Sequence, residues 1–165
     1  MALEQETKVY QFLLAYGEMV LADISADDAY KLICDGGVSP AWIIGHLAFV
    51  ANRVLAMAGG QPKIDTDAWK PMFGGGSTPK GEADKDAYPS WDELLKVWRE
   101  GHADVAAIAP SISEGVLSAQ NPNERMRPGL PTVHDFLSFV ITGHEAMHLG
   151  QLSTWRRVQG RPPLF

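Results

Sequence analysis

One cysteine, Cys34, in 165 residues leaves no partner for an internal disulfide and excludes a multi-cysteine metal site. Basic residues are the minority charge: 14 Lys and Arg against 20 Asp and Glu give a formal net charge of −6. Affinity for a phosphate backbone is built from Lys and Arg neutralising phosphates, so nucleic acid is not an expected partner. The longest apolar stretches each carry a His or Arg within the span a bilayer needs, so no membrane-spanning helix is expected. The opening residues, Met1 to Tyr10, hold acids where a secretion signal needs a basic start and an apolar run. No segment alternates with period two, so no sheet is expected, and no repeat or low-complexity tract is present. What is there is ordinary: 45% hydrophobic and 21% charged residues, the composition of a folded domain. Together these point to one cytoplasmic domain over residues 1–165.

Four segments carry helical periodicity. In the first, about Leu3 to Ile24, the apolar residues Val9, Phe12, Leu13, Tyr16, Met19, Val20 and Ile24 form one stripe. The second, about Pro40 to Ala58, has Ser39 as cap, Pro40 at its first position and Gly59-Gly60 to close it. The third follows Ser90, which makes a capping box with Glu93, and ends at Pro110. The fourth is capped by Thr132 and runs to Gln159, with Arg156 and Arg157 in its last turn and Gly160 after it. Four amphipathic helices pack as a bundle, so the fold class is all-α, a four-helix bundle. The link from Gly59 to Pro89 contains Gly74-Gly75-Gly76 and several prolines, too long and too broken for neighbouring antiparallel helices. It predicts a crossover, with the second and third bundle helices parallel and an up-down-down-up order.

The chemistry lies in the histidines. His144 and His148 are four apart on the fourth helix, so their rings emerge on one face a turn apart, the spacing that chelates one divalent ion. Leu137, Ile141, His144 and His148 step by four, three and four, so the pair continues the stripe that faces the bundle interior. His46 lies in the middle of the buried face of the second helix, among Trp42, Ile43, Phe49 and Val50. Unpartnered interior imidazoles cost desolvation and need a ligand, a metal or hydrogen bonds. Three of them predict a metal site that leaves one coordination position open for water or substrate. His102 stands in a polar neighbourhood and His134 lies in the first turn of its helix, about 80° around from His144; both read as surface residues.

His144-Glu145-Ala146-Met147-His148 is also a literal H-E-x-x-H, the zinc-peptidase motif. Residues Leu149 to Phe165 contain no His, Asp, Glu or Cys, so the downstream third ligand of that design is absent. Glu145 lies about 100° around the helix from His144. It is the candidate proton acceptor, although its position reads first as a solvated or dimer-facing charge. Arg53 and Arg156 are candidates for gripping an anionic substrate, with ordinary surface pairing as the plainer reading. Gly150 leaves room for close approach of a ligand or backbone, and Gln151 can hydrogen-bond a ligand or, the plainer reading, pack between helices. Cys34 stands away from the histidine stripes, so any attacking thiol comes from a cosubstrate.

The run His144-x-x-x-His148-x-Gly150-Gln151-Leu152, then Arg156-Arg157 and Gly160-x-Pro162, resembles the last helix of the DinB-like (DinB/YfiT) metalloenzyme family. Ser39-Pro40-Ala41-Trp42-Ile43-Ile44-Gly45-His46-Leu47 resembles the family's second helix. The resemblance implies an up-down-down-up bundle, one divalent ion, Zn or Ni, on His46, His144 and His148, and a homodimer. It also implies a metal-dependent transferase or hydrolase acting on a small molecule, with a low-molecular-weight thiol such as bacillithiol or mycothiol as possible cosubstrate. The competing expectation is a non-catalytic metal-binding or dimeric structural module of the same fold.

Overall fold

The structure is a computed structural model, and it describes residues 3–164. Four long helical stretches form the bundle: α1 (Glu4–Leu21), α2 (Pro40–Met57), α4 (Trp91–Ile108) and a composite last helix. The last helix comprises α6 (Val133–Phe139), a π-turn (Val140–His144) and α7 (Glu145–Val158). No β-strand is formed among the described residues; a single bridge pairs Gln120 with Thr132. The helix ends follow side-chain chemistry. Ser39 accepts from the Trp42 N–H, Ser90 from the Glu93 N–H, and Thr132 and Asp135 cap reciprocally, so the full capping box lies here and not at Ser90. Gly59 and Gly160 take φ of +81° and +77°, the left-handed conformation that closes α2 and α7.

Helix direction follows from which residues meet. Along α1, Glu6 meets Ser138, a Cβ on Gly17 would touch Leu149, and Asp23 meets Arg156, so α1 and the last helix run parallel. Gly17 also lies against Trp98 and Glu18 pairs with Arg99, while Tyr10 stacks on His102, so α4 runs against α1. A Cβ on Gly101 would meet Asn52, and one on Gly60 would meet Ile108, which makes α2 and α4 parallel. The order is up-down-down-up. The crossover begins where the Lys63 N–H donates to Asn52 Oδ1 near the end of α2. It returns to the start of α2, where Trp42 Nε1–H donates to Ser77 and Ser39 to the Lys80 carbonyl. It is more structured than its composition suggests: Asp65 caps a short helix, α3 (Thr66–Phe73), and a 3₁₀ segment spans Glu82–Ala87. In the second link Ser113 caps α5 (Glu114–Leu117).

The core divides into two clusters. One gathers Ile43, Leu47, Phe73, Leu94, Trp98, Leu149, Leu152 and Trp155. The other gathers Leu3, Tyr10, Val54, Val105, Leu117, Leu137 and Ile141. α2 has the length and apolarity of a membrane span, but 78% of that window is buried inside the bundle. The stripe expected on α1 is corrected in part. Val9, Phe12 and Met19 are exposed, and the buried line is Thr7, Tyr10, Gly17, Val20 and Leu21. Gly17 sits in that line because Trp98 lies where a side chain would be.

Arg156 is buried, not a surface residue. Its Nε and Nη2 donate to the two oxygens of Asp23 at 2.9 and 2.6 Å. The hydrogen bond from Arg156 holds the Asp23 carboxyl below its ordinary range, against the opposing effect of burial. A depressed carboxylate stabilises the fold above its unfolded pKa, about 3.9, and that contribution is lost as pH falls through the lower folded value. The Asp23 side chain is 43% exposed, so solvent screens the effect. Thermal unfolding of Asp23→Asn should show a deficit against wild type at neutral pH that shrinks as the pH is taken below about 4. A deficit that stays constant into acid would remove this account.

Candidate metal centre

His46 reaches the centre from α2, His144 from the end of the π-turn, and His148 from the first turns of α7. A nitrogen from each ring lies within 4.8 Å of the others. His46 Nε2 and His144 Nε2 are 3.1 Å apart. Two nitrogens each bound at about 2.0–2.1 Å to one tetrahedral ion sit roughly 3.3 Å apart, so this spacing fits a shared divalent ion. His46 is buried and the other two are partly buried. Their protonation suits the task as well. Burial, chiefly, pushes His46 down to about 4, while burial and then the neighbouring His148 push His144 to about 3. His148 is also lowered, again mainly by burial. All three are neutral near pH 7 and carry a lone pair.

The outer contacts fix which nitrogen carries it. His46 Nδ1–H donates to the Phe73 carbonyl at 2.6 Å, and His148 Nδ1–H to Gln151 Oε1 at 2.8 Å. With Nδ1 protonated in both, the Nε2 lone pairs point at the centre, the arrangement that orients metal-bound imidazoles. His144 Nδ1 is buried without a hydrogen-bond partner among the described residues. Trp42 stacks on His46 with ring centroids 5.0 Å apart and planes 5° apart, and its edge meets His148. Gln151 is thus exposed and holds a ring, a role its reading as a packing residue missed. Gly150 faces open space, so no close approach in this chain requires it.

The glycine that matters is Gly45. A Cβ there would lie 2.2–2.5 Å from three atoms of the fully buried Phe73 ring. Its absence lets the end of α3 lie against α2, which brings the Phe73 carbonyl to His46. Gly45→Ala should cost about 1–3 kcal/mol of stability through overpacking. It should also weaken zinc binding by about 10–100-fold, the usual loss when an outer hydrogen bond to a ligand is disturbed. Thermal unfolding and competitive zinc titration measure the two; an unchanged affinity would show that Phe73 does not position His46.

His102 and Glu145 are both corrected. Each is buried, His102 at 2% and Glu145 at 3% exposure, and they pair at 3.1 Å between Nε2 and Oε2. His102 Nδ1–H donates to the Trp98 carbonyl, so both of its ring nitrogens are engaged. His102 follows Trp98 by four residues on the stripe of Leu94, Trp98 and Val105, a signal outweighed by its polar neighbours. Glu145 was displaced by the π-turn: Leu137, Ile141, Glu145 and Leu149 form the most buried line, and the wide turn absorbs steps of four. His144 and His148 flank that line on the side facing α2. His134, in the first turn of α6, is partly buried.

A cavity of about 530 Å³ opens onto His46 and His144. Its walls are mostly apolar, from Phe49, Val50 and Val54 of α2 and Phe136, Phe139 and Val140 of the last helix. Its mouth carries Arg53, Glu124 and Arg125. Its size suits a small organic ligand. Another opening, of about 550 Å³ beside Trp69 and Lys96, touches none of the three histidines.

The chain is similar in fold to YfiT from Bacillus subtilis, whose structure is titled a probable metal-dependent hydrolase with an unusual four-helix bundle topology. The match has a TM-score of 0.65 and 14% identity, and covers 96% of this chain and 88% of that one. No curated protein matches by sequence. The family model of the DinB superfamily matches residues 15–152, and the chain belongs to that superfamily.

Proposed function

We propose that the chain is a metal-dependent enzyme of transferase or hydrolase type that holds one divalent ion, zinc or nickel, on His46, His144 and His148. The observation that carries this reading is the convergence of three uncharged imidazoles, two of which, His46 and His144, line an open cavity. Three protein ligands leave a position free, the mark of a catalytic site, where a structural zinc site is closed by four. YfiT, which shares the fold, is described as a probable metal-dependent hydrolase. When bound, the ion supplies Lewis-acid chemistry that makes an external nucleophile potent near neutral pH.

The chain's own residues do the remaining work. The Phe73 carbonyl and Gln151 hold the Nδ1 protons of His46 and His148, and Trp42 prevents His46 from turning. The apolar walls seat the substrate body and exclude water. Among the described residues no Ser, Thr, Cys, Lys or Tyr lines the cavity, its one carboxylate, Glu124, is exposed to solvent, and Cys34 is exposed in the α1–α2 link. The nucleophile therefore comes from outside, as water or as a low-molecular-weight thiol cosubstrate. Glu145 faces His102 and serves the fold in this reading. A cytoplasmic homodimer completes it, supported by Phe12 and Met147, which are 67% and 61% exposed on α1 and α7.

The test is elemental analysis of protein purified without added metal and again after zinc or nickel is supplied. A screen of ester, amide and thiol-acceptor substrates with and without chelator follows. About one ion per chain and chelator-sensitive turnover are expected. Failure to take up any ion sinks the proposal, and uptake with chelator-insensitive turnover selects the non-catalytic module.

A further inference from the structure

We infer that the cavity takes an elongated amphipathic anion, with its apolar body between Phe49, Val50, Phe136 and Phe139 and its carboxylate or phosphate gripped at the mouth by Arg53 and Arg125. The inference rests on reading the histidine cluster as the reacting end. Two features of the cavity support it. First, its charges are segregated. Apart from the histidines, the charged side chains lining it are Arg53, Glu124 and Arg125, all exposed at the mouth. Glu124 is 87% exposed and lies 3.9 Å from Arg127, leaving Arg125 unneutralised. No described carboxylate forms an ion pair with Arg53, although Asp67 and Lys70 line a neighbouring opening with it. The Arg53 guanidinium stands over the Phe49 ring, 5.9 Å from its centroid, on the cavity wall. Two unpaired guanidinium forks above an apolar shaft recognise an oxyanion by paired N–H donors.

Second, α2 acts as a ruler. Arg53 lies seven residues after His46, which is about 10 Å along the helix axis and only about 20° around it. With the Arg53 guanidinium leaning back over Phe49, a ligand bound at both ends carries its anionic group within about 10 Å of its reacting bond, with apolar atoms between. A small hydrophilic anion is too short to use both ends, and an uncharged apolar molecule leaves the arginines unused.

The experiment uses chelator-treated, metal-free protein, so that no ion at the histidines attracts the probe. Phenylhexanoate, its uncharged amide and a phenylalkyl phosphate of matching length are titrated calorimetrically into wild type, Arg53→Gln, Arg125→Gln and the double variant. At least one of the two anions should bind about tenfold or more tighter than the amide, an advantage that shrinks with added salt. Each single variant should lower that advantage, the double variant should abolish it, and affinity for the amide should not change. Which anion gains more identifies the oxyanion as carboxylate or phosphate. Equal binding of acid, phosphate and amide to wild type, or an anion advantage that survives in the double variant, overturns the inference. Zinc uptake is measured in parallel on all four proteins. Loss of zinc uptake by wild type would strike the metal reading, whereas the anion result is read without any ion present.

Discussion

His148→Ala is expected to lose tight binding of the divalent ion while keeping the helical fold. The remaining pair, His46 and His144, offers two nitrogens where the site needs three. Affinity should fall by several orders of magnitude, since each imidazole bond is a large share of the roughly 10–16 kcal/mol a well-built zinc site supplies. His148 is partly buried and lies beside the cavity end of α7, so its removal opens little core volume. Circular dichroism should therefore match wild type, with elemental analysis well below one ion per chain. Gln151→Leu is a milder companion: it removes only the acceptor of the His148 Nδ1 proton and should weaken zinc by about 10–100-fold. Full retention of the ion in His148→Ala would show that the cluster is not the site.

His102→Leu is expected to be among the most destabilising single changes. It leaves the Glu145 carboxyl buried with neither oxygen bonded, because Oε1 already lacks a partner among the described residues. Breaking one side of a buried pair costs about 3–5 kcal/mol. For a chain of this size that lowers Tm by roughly 6–20 °C. The double variant His102→Leu/Glu145→Met should recover most of the loss, because an apolar pair of similar volume carries no desolvation cost. A double variant as unstable as the single one would mean that lost packing against Tyr10 and Trp98 decides the effect. Zinc binding, measured alongside, separates this structural role from any role at the histidine cluster.

The bundle and the cluster were legible because both rest on period and spacing. The stripe of α4, the caps at Ser39 and Thr132, and the length of the Gly59–Pro89 link sufficed for the architecture and its crossover. His46, His144 and His148 were legible because each lies on the side of its helix that faces the interior. What escaped the sequence depends on contacts distant in the chain or on a break in periodicity. Phe73 supports His46 across 27 residues, through a short helix inside a link rich in breakers. Gly45 matters only because that ring lands on it. Glu145 lies on a different side from the one a regular 3.6-residue period implies, because the residues before it form a π-turn. On α1 apolar residues cover more than one side of the helix, so the stripe alone could not select which would be buried.

That π-turn also separates the two hydrophobic clusters. Up to and including its first two residues, the last helix gives Val133, Leu137, Val140 and Ile141 to one cluster; after it, Leu149, Leu152 and Trp155 go to the other. A π-turn amounts to one extra residue in an α-helix, and one residue turns everything beyond it by about 100°. Deleting a single residue between Val140 and His144 would restore a regular helix, but only by rotating one of these two sets out of its core. A change of length within the turn therefore disturbs a whole core, whereas a substitution on either side of it disturbs only its own contacts. The two halves of the helix are free to be repacked separately, and the histidines stand at the joint that keeps them in step.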